Sequence, residues 1–167
     1  FRNPTAHPHA FPGMGDIPAA LTAGQENALV LIRRAISAGK FDPILLYGVT
    51  GSGKTEVYLR AISEVLATGG SALVIVPEIA LTPQLFDRFS SRLSVPLGLL
   101  HSQVGATVRW NTWEALLDGR LRVALGARSA VFAPLRKLSL VIVDEEHESS
   151  YKQSDGLRYH ARDVAVM

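Results

Sequence analysis

The sequence predicts an α/β fold: a parallel sheet with helices on both faces. Three observations carry that reading. Short apolar runs at 44–47, 72–76, 97–100, 121–125 and 138–143 alternate with helical patterns. Such alternation gives parallel strands joined by right-handed crossovers. The run Ala72-Leu73-Val74-Ile75-Val76 is apolar at every position, as in a strand covered on both sides. Finally, the glycine-rich segment Gly48–Thr55 directly follows the first run. It would therefore lie at the carboxyl end of a strand, where such sheets place ligands.

Residues 1–20 hold Pro4, Pro8, Pro12 and Pro18 with Gly13 and Gly15 and show no periodicity, so they read as a linker or arm. His7 and His9 flank Pro8 there and read as solvated side chains rather than metal ligands. Folded structure is expected over 21–167. Thr22 is the expected N-cap of a helix whose apolar stripe is Ala28, Leu31, Ile32, Ala35 and Ile36, ended by Gly39. The strand 44–47 and the glycine-rich loop come next. A helix burying Val57, Tyr58, Ala61, Ile62, Val65 and Leu66 follows and stops at Gly69-Gly70. After the all-apolar strand, Thr82-Pro83 supplies a cap and first-turn proline for a helix carrying Leu85, Phe86, Phe89 and Leu93. Beyond the short strand 97–100, Trp110, Trp113 and Leu117 share one helical face before Gly119 and read as core. The strands 121–125 and 138–143 complete the sheet.

With 167 residues, the sequence is one domain's worth of chain and long enough to bury a core. Hydrophobic residues make up 47% and charged residues 19%, ordinary for a globular protein. No apolar run approaches membrane-spanning length and no signal peptide is evident, so no membrane role is expected, and the lack of cysteine makes a cytoplasmic setting the easier reading. The absence of cysteine excludes disulfides and cysteine-bound zinc within the sequence. A formal charge of +2 is too small to argue for nucleic acid, so any such claim rests on motifs. Beginning at Phe1 and stopping at Met167, the sequence reads as an excised piece of a longer chain.

Two motifs carry chemistry. Gly48-Val49-Thr50-Gly51-Ser52-Gly53-Lys54-Thr55 has the form G-x-x-x-x-G-K-[ST] of a phosphate-binding loop. Its glycines (Gly48, Gly51 and Gly53) let the backbone turn tightly, so that N–H groups, including those of Thr50 and Ser52, converge on phosphate oxygens. Lys54 supplies a charge to the β- and γ-phosphates of ATP, and the Thr55 hydroxyl can ligate Mg²⁺. The second motif, Asp144-Glu145-Glu146-His147, ends the last apolar run. Asp144 offers a hard oxygen to Mg²⁺, and Glu145 is placed to accept a proton from the attacking water. Together they describe a nucleoside-triphosphate hydrolase.

Further features lie on the same expected sheet edge. Thr82, His101 and Arg128 follow the second, third and fourth strand runs. Each alone reads as loop structure, and their recurrence on one edge raises a phosphate-contacting reading. In Ser149–Asp163, Tyr151, Tyr159 and His160 interleave with Lys152, Arg158 and Arg162. Aromatic faces beside cations suit single-strand binding, and an ordinary surface loop is the equal alternative.

With those residues in hand, the sequence resembles the first RecA-like lobe of superfamily-two helicases of the DEAH/DExH type. Among these it is most similar to the bacterial replication-restart helicases. The resemblance runs from about Leu21 to Met167 through GVTGSGKTEVY, VPEIALTPQ, LHS, GARSAVFAP and DEEHESSYKQSDGLRYHARDVAVM. It implies a P-loop NTPase domain, part of an incomplete first helicase lobe. Adenine recognition is assigned to Gln25, phosphate and Mg²⁺ to Lys54 and Thr55, metal to Asp144, and the catalytic base to Glu145. His147 is implied to couple nucleotide state to DNA. Thr82, His101, Arg128, Tyr151, Lys152, Tyr159 and Arg162 are implied to contact, sense or support a DNA strand.

The implied partners are single-stranded and branched DNA, single-stranded DNA-binding protein and other primosome proteins, with a monomeric state. Two local departures are Gly24, where an acidic residue is more usual before Gln25, and Ala127, where Thr is common beside Arg128. The family's second lobe with its arginine finger and its cysteine-rich module are not in this sequence, so zinc is expected only elsewhere in a full-length protein. The family sheet also carries a strand between those of the phosphate loop and the acidic tetrad, expected beyond Met167. Turnover by these residues alone is expected to be negligible. A DNA-binding, primosome-loading scaffold with little ATPase activity is the alternative. A small-molecule kinase is a third, disfavoured by the lack of an evident lid.

Overall fold

The computed structural model describes residues 20–49 and 51–167. The expected arm over 1–20, with its histidine pair, and the loop residue Thr50 lie outside the described residues, apart from Ala20. Among the described residues, five α-helices and six strands follow in chain order: α1 (Ala23–Ala38), α2 (Lys54–Ala67), β1 (Ser71–Ile75), α3 (Pro83–Leu93), β2 (Leu97–Leu100), α4 (Ala106–Leu117), β3 (Val123–Gly126), β4 (Leu138–Val143), β5 (Lys152–Gln153), β6 (Tyr159–His160) and α5 (Ala161–Ala165). Four strands form one parallel sheet in the order β2-β3-β1-β4, and β5 and β6 make a small antiparallel ribbon.

The all-apolar run becomes β1, buried at all five positions, and its alternating side chains divide the core. Ala72 and Val74 face one layer, with Leu59 and Ile62 of α2 and Phe89 and Leu93 of α3. Leu73 and Ile75 face the other, with Leu116 of α4, Tyr151 and Ala161 of α5. Helices on both faces thus follow from a strand buried at every position. Each fully buried aliphatic or aromatic side chain contributes roughly 1.5–3 kcal/mol.

The helix ends follow local chemistry. Thr22 and Gln25 form a capping box on α1, and Gly39 closes it in the left-handed region at φ 61°. Thr82 accepts from the Leu85 N–H at the start of α3, where Pro83 has no N–H to satisfy.

Three expectations are corrected. Residues 44–47 are not a strand: the sheet ends at β4, and among the described residues no ladder joins the run to it. Without a neighbouring strand the run forms no ladder, with Leu45 75% and Tyr47 92% exposed and Leu46 packed inward. On α1 the buried residue is Leu29, not Leu31, because the helix meets Val57 and Ala61 of α2 along that line. Leu31, two residues on and so about 200° round the helix, faces outward. On α4, Trp110 and Leu117 are exposed and Trp113 is half-buried. Ala115 and Leu116 are buried instead, and Thr112 and Leu116 approach the sheet over Gly98.

Candidate functional site

The loop that begins α2 is built from glycine. Gly51 and Gly53 take φ 81° and 82°, which only glycine adopts without strain. A side chain on Gly53 would also stand 2.4 Å from Gln25 Nε2. Gln25 spends both ends of its amide locally. Its Nε2 donates to the Ser52 carbonyl at 3.1 Å and that of Gly53 at 3.4 Å, while Oε1 accepts from the Thr22 N–H at 2.9 Å. The residue expected at an adenine thus ties α1 to the phosphate loop. Lys54 Nζ donates to the Gly48 carbonyl at 2.9 Å, so its ammonium folds back into the loop. Gln25, Gly48, Ser52 and Lys54 share an open cavity of about 200 Å³.

The acidic tetrad reaches this loop because β4 runs parallel to β1. The Asp144 N–H donates to Ile75 O at 2.9 Å, carrying the ladder one residue past the strand. The chain then turns through Glu145, a non-glycine residue at φ 47°. That left-handed conformation costs roughly 1–3 kcal/mol, and it aims the Glu145 carboxylate at α2. Lys54 Nζ lies 3.3 Å from Glu145 Oε1. The Tyr58 hydroxyl, one turn further along α2, donates to Asp144 Oδ1 at 2.9 Å. His147 stands mostly exposed, with Nε2 3.7 Å from Glu145 Oε2. Glu146 turns away to Arg162 at 2.9 Å.

Tyr151 sits beneath this turn. It is 0% exposed, and its hydroxyl lies 2.5 Å from the Asp144 carbonyl and 3.3 Å from that of Ile75. The expectation that its ring meets DNA is overturned, because the short helical turn at Ser149–Tyr151 directs it into the core under the sheet edge. Burial, followed by the Asp144 carboxylate, pushes the phenols of Tyr58 and Tyr151 well above the ordinary tyrosine range. Both therefore remain hydrogen-bond donors at neutral pH.

Donor chemistry fits a metal-bound polyphosphate. Thr55, half-buried in the first turn of α2, and Asp144 supply hard oxygens. Among the described residues no three His, Asp or Glu side chains group as a complete metal site. A divalent ion here would draw the rest of its shell from water and phosphate, as Mg²⁺ does. Beside Thr55, Glu56 is buried between Arg92 at 2.8 Å and Arg60 at 2.9 Å. The hydrogen bond from Arg92 holds its carboxyl below the ordinary range.

Loops after the remaining strands share this edge. Thr82 is exposed at the start of α3, and Ser102 bonds Glu78 across the loops that follow β1 and β2. His101 Nδ1 accepts from the Gln103 N–H at 3.2 Å. Arg128 is committed to the Ser150 and Lys152 carbonyls at 3.2 and 2.9 Å, which anchors the segment after the tetrad. That segment offers exposed Lys152 and Arg158, with half-buried Tyr159 and His160, around an open depression of about 580 Å³. Tyr159 packs edge-on to Phe132 at 4.9 Å, and Arg162 is shared between Glu146 and Asp163.

Sequence reasoning missed Tyr58 as a site residue, reading it as core. Its position four residues after Lys54 puts it on the same helix face, a signal available from spacing alone.

A family model described as DEAD/DEAH box helicase matches residues 22–166. The replication restart protein PriA of Bacillus subtilis (strain 168) is 46% identical over 149 residues, 89% of this chain and 18% of that protein. Those of Chlamydia pneumoniae and Haemophilus influenzae are each 46% identical, over 90% and 88% of this chain and 20% of each relative. The chain thus spans about a fifth of the length of the curated relatives it matches.

Proposed function

The chain belongs to the DEAD/DEAH box helicase family, and from that premise we propose that it is the ATP-binding part of a DNA helicase serving replication restart. The observation that carries this reading is the meeting of Lys54 with Glu145, and of Tyr58 with Asp144, where α2 and β4 converge. Family membership implies a nucleotide served by a divalent metal, and the finer assignment is ATP with Mg²⁺.

Lys54 leaves Glu145 for the β- and γ-phosphates, a stronger partner than a half-exposed carboxylate. That exchange frees Glu145 to accept the proton of the attacking water. Thr55 and Asp144 hold the metal, which when bound neutralises charge on the phosphate oxygens. Gln25 sets the loop by its two carbonyl contacts, and adenine recognition by the same amide would require it to exchange those contacts for the base. His147, with Nε2 3.7 Å from Glu145 Oε2, is the proposed link between nucleotide state and the segment 149–163 that follows it in the chain.

The DNA track is the edge formed by Thr82, His101, Lys152 and Tyr159, with Arg128 and Arg162 holding its shape. Single-stranded and branched DNA are the proposed substrates, and single-stranded DNA-binding protein and primosome proteins the proposed partners, of a monomeric motor in the cytoplasm. Among the described residues no helix is long and apolar enough to cross a membrane. The test is DNA-stimulated phosphate release and unwinding by the full-length protein with and without Lys54→Ala. Loss of both supports a motor, whereas unaltered unwinding points instead to a DNA-binding scaffold.

A further inference from the structure

We propose that Tyr58 is a positioning residue for the metal site: its hydroxyl fixes the Asp144 carboxylate through Oδ1 so that the other carboxylate oxygen is presented to a divalent cation. The inference rests on the nucleotide-site reading above and deepens it.

Geometry supplies the argument. Lys54, Thr55 and Tyr58 are spaced by one residue and one turn, so a single face of α2 meets the acidic loop. The face grips two successive carboxylates, Lys54 on Glu145 at 3.3 Å and Tyr58 on Asp144 at 2.9 Å. Asp144 is also held at its main chain, where the Tyr151 hydroxyl lies 2.5 Å from its carbonyl. One phenol therefore clamps the backbone of Asp144 and the other clamps its side chain. A carboxylate that already accepts a hydrogen bond at one oxygen loses its rotamer freedom and offers the remaining oxygen in one direction. Partners of this kind tune metal affinity by about 10–100-fold when they are removed.

Tyr58 is half-buried and packed against the core cluster that holds Leu59 and Ile62. A purely structural role would need that ring and not its hydroxyl. Tyr58→Phe separates the two, since it keeps the ring and deletes only the donor.

The test is equilibrium binding of a fluorescent ATP analogue to the full-length protein at graded Mg²⁺, with Mn²⁺ binding followed separately by electron paramagnetic resonance. Tyr58→Phe is expected to raise the Mg²⁺ concentration for half-maximal binding about tenfold and to weaken Mn²⁺ binding similarly. Nucleotide binding in excess chelator should be unchanged. In an Asp144→Asn background the same substitution should be silent, which guards against a general loss of folding. Metal dependence identical to that of the unaltered protein overturns the positioning role alone, as does an equal loss in the Asp144→Asn background. If the unaltered protein shows no metal-dependent nucleotide binding, the nucleotide-site reading fails and takes this inference with it.

Discussion

Lys54 and Glu145 are 91 residues apart in the chain, yet Nζ and Oε1 stand 3.3 Å apart. Parallel pairing of β1 with β4 brings the end of β4 beside the start of α2, and the left-handed turn at Glu145 closes the remaining gap. The pair is partly exposed, and such pairs contribute about 0–1 kcal/mol. Its value is positional, since it sets a cation and a carboxylate side by side where α2 meets the end of β4.

Glu145→Gln should lower the hydrolysis rate by about 10²–10⁴-fold, the range of a lost general base, and leave nucleotide affinity within about twofold. Glu145→Gly should abolish hydrolysis equally without lowering the melting temperature. Release of the left-handed strain, about 1 kcal/mol or more, offsets the lost ion pair. Phosphate-release kinetics and thermal denaturation of the two variants check this.

Glu56 lies between Arg60 and Arg92, and Arg92 joins α2 to α3 through it. Glu56→Ala should destabilise by about 3 kcal/mol, because it strips a buried carboxylate from its cations. The pH dependence has a definite sign. The folded-state pKa is lowered from the ordinary 4.5, so the contribution is complete above that value and is lost as pH falls through the lower, folded one. Denaturant melts of the protein and of Glu56→Gln should therefore converge as pH drops below about 4.5.

Tyr151→Phe should cost about 1 kcal/mol, one hydrogen bond, and Tyr151→Ala about 3–5 kcal/mol, as expected of an aromatic in the core. A residue that merely faced DNA would show neither loss in the absence of DNA. Urea titrations of the two variants without nucleic acid distinguish these cases.

Trp110 is 68% exposed and Leu116 fully buried on the same helix. Trp110→Ala should change stability by less than about 0.5 kcal/mol, while Leu116→Ala should cost about 2–5 kcal/mol. Comparable losses at the two positions would contradict the assigned face of α4.

Much of this was legible in the sequence because local chemistry decides it. The Thr22 and Thr82 caps, the Gly39 terminus and the apolar run within β1 needed no tertiary information. The phosphate loop and acidic tetrad announced themselves by spacing, and the parallel fold made their meeting an expectation. What failed was decided by neighbours. Residues 44–47 have strand composition, but a strand exists only when something pairs with it. Trp110 has core composition, yet α4 turns its smaller residues toward the sheet because Gly98 admits a close approach. Tyr151 sits in a basic, aromatic stretch, and one short helical turn sends it inward. Tyr58 reads as core because it sits on an apolar stripe, although its four-residue spacing from Lys54 places it on the face that meets the acidic loop.

Convergence of the two loops on one nucleotide is tested most directly by binding of a Mg²⁺–ATP analogue to the unaltered protein, Lys54→Ala, Asp144→Asn and the double variant. A shared site requires that each single change weaken binding by about tenfold or more, the scale of a lost charged contact. It also requires that the double change lose less than the product of the two, as neighbours do. Wild-type affinity in Asp144→Asn, or losses that multiply independently, would contradict a single site spanning both loops.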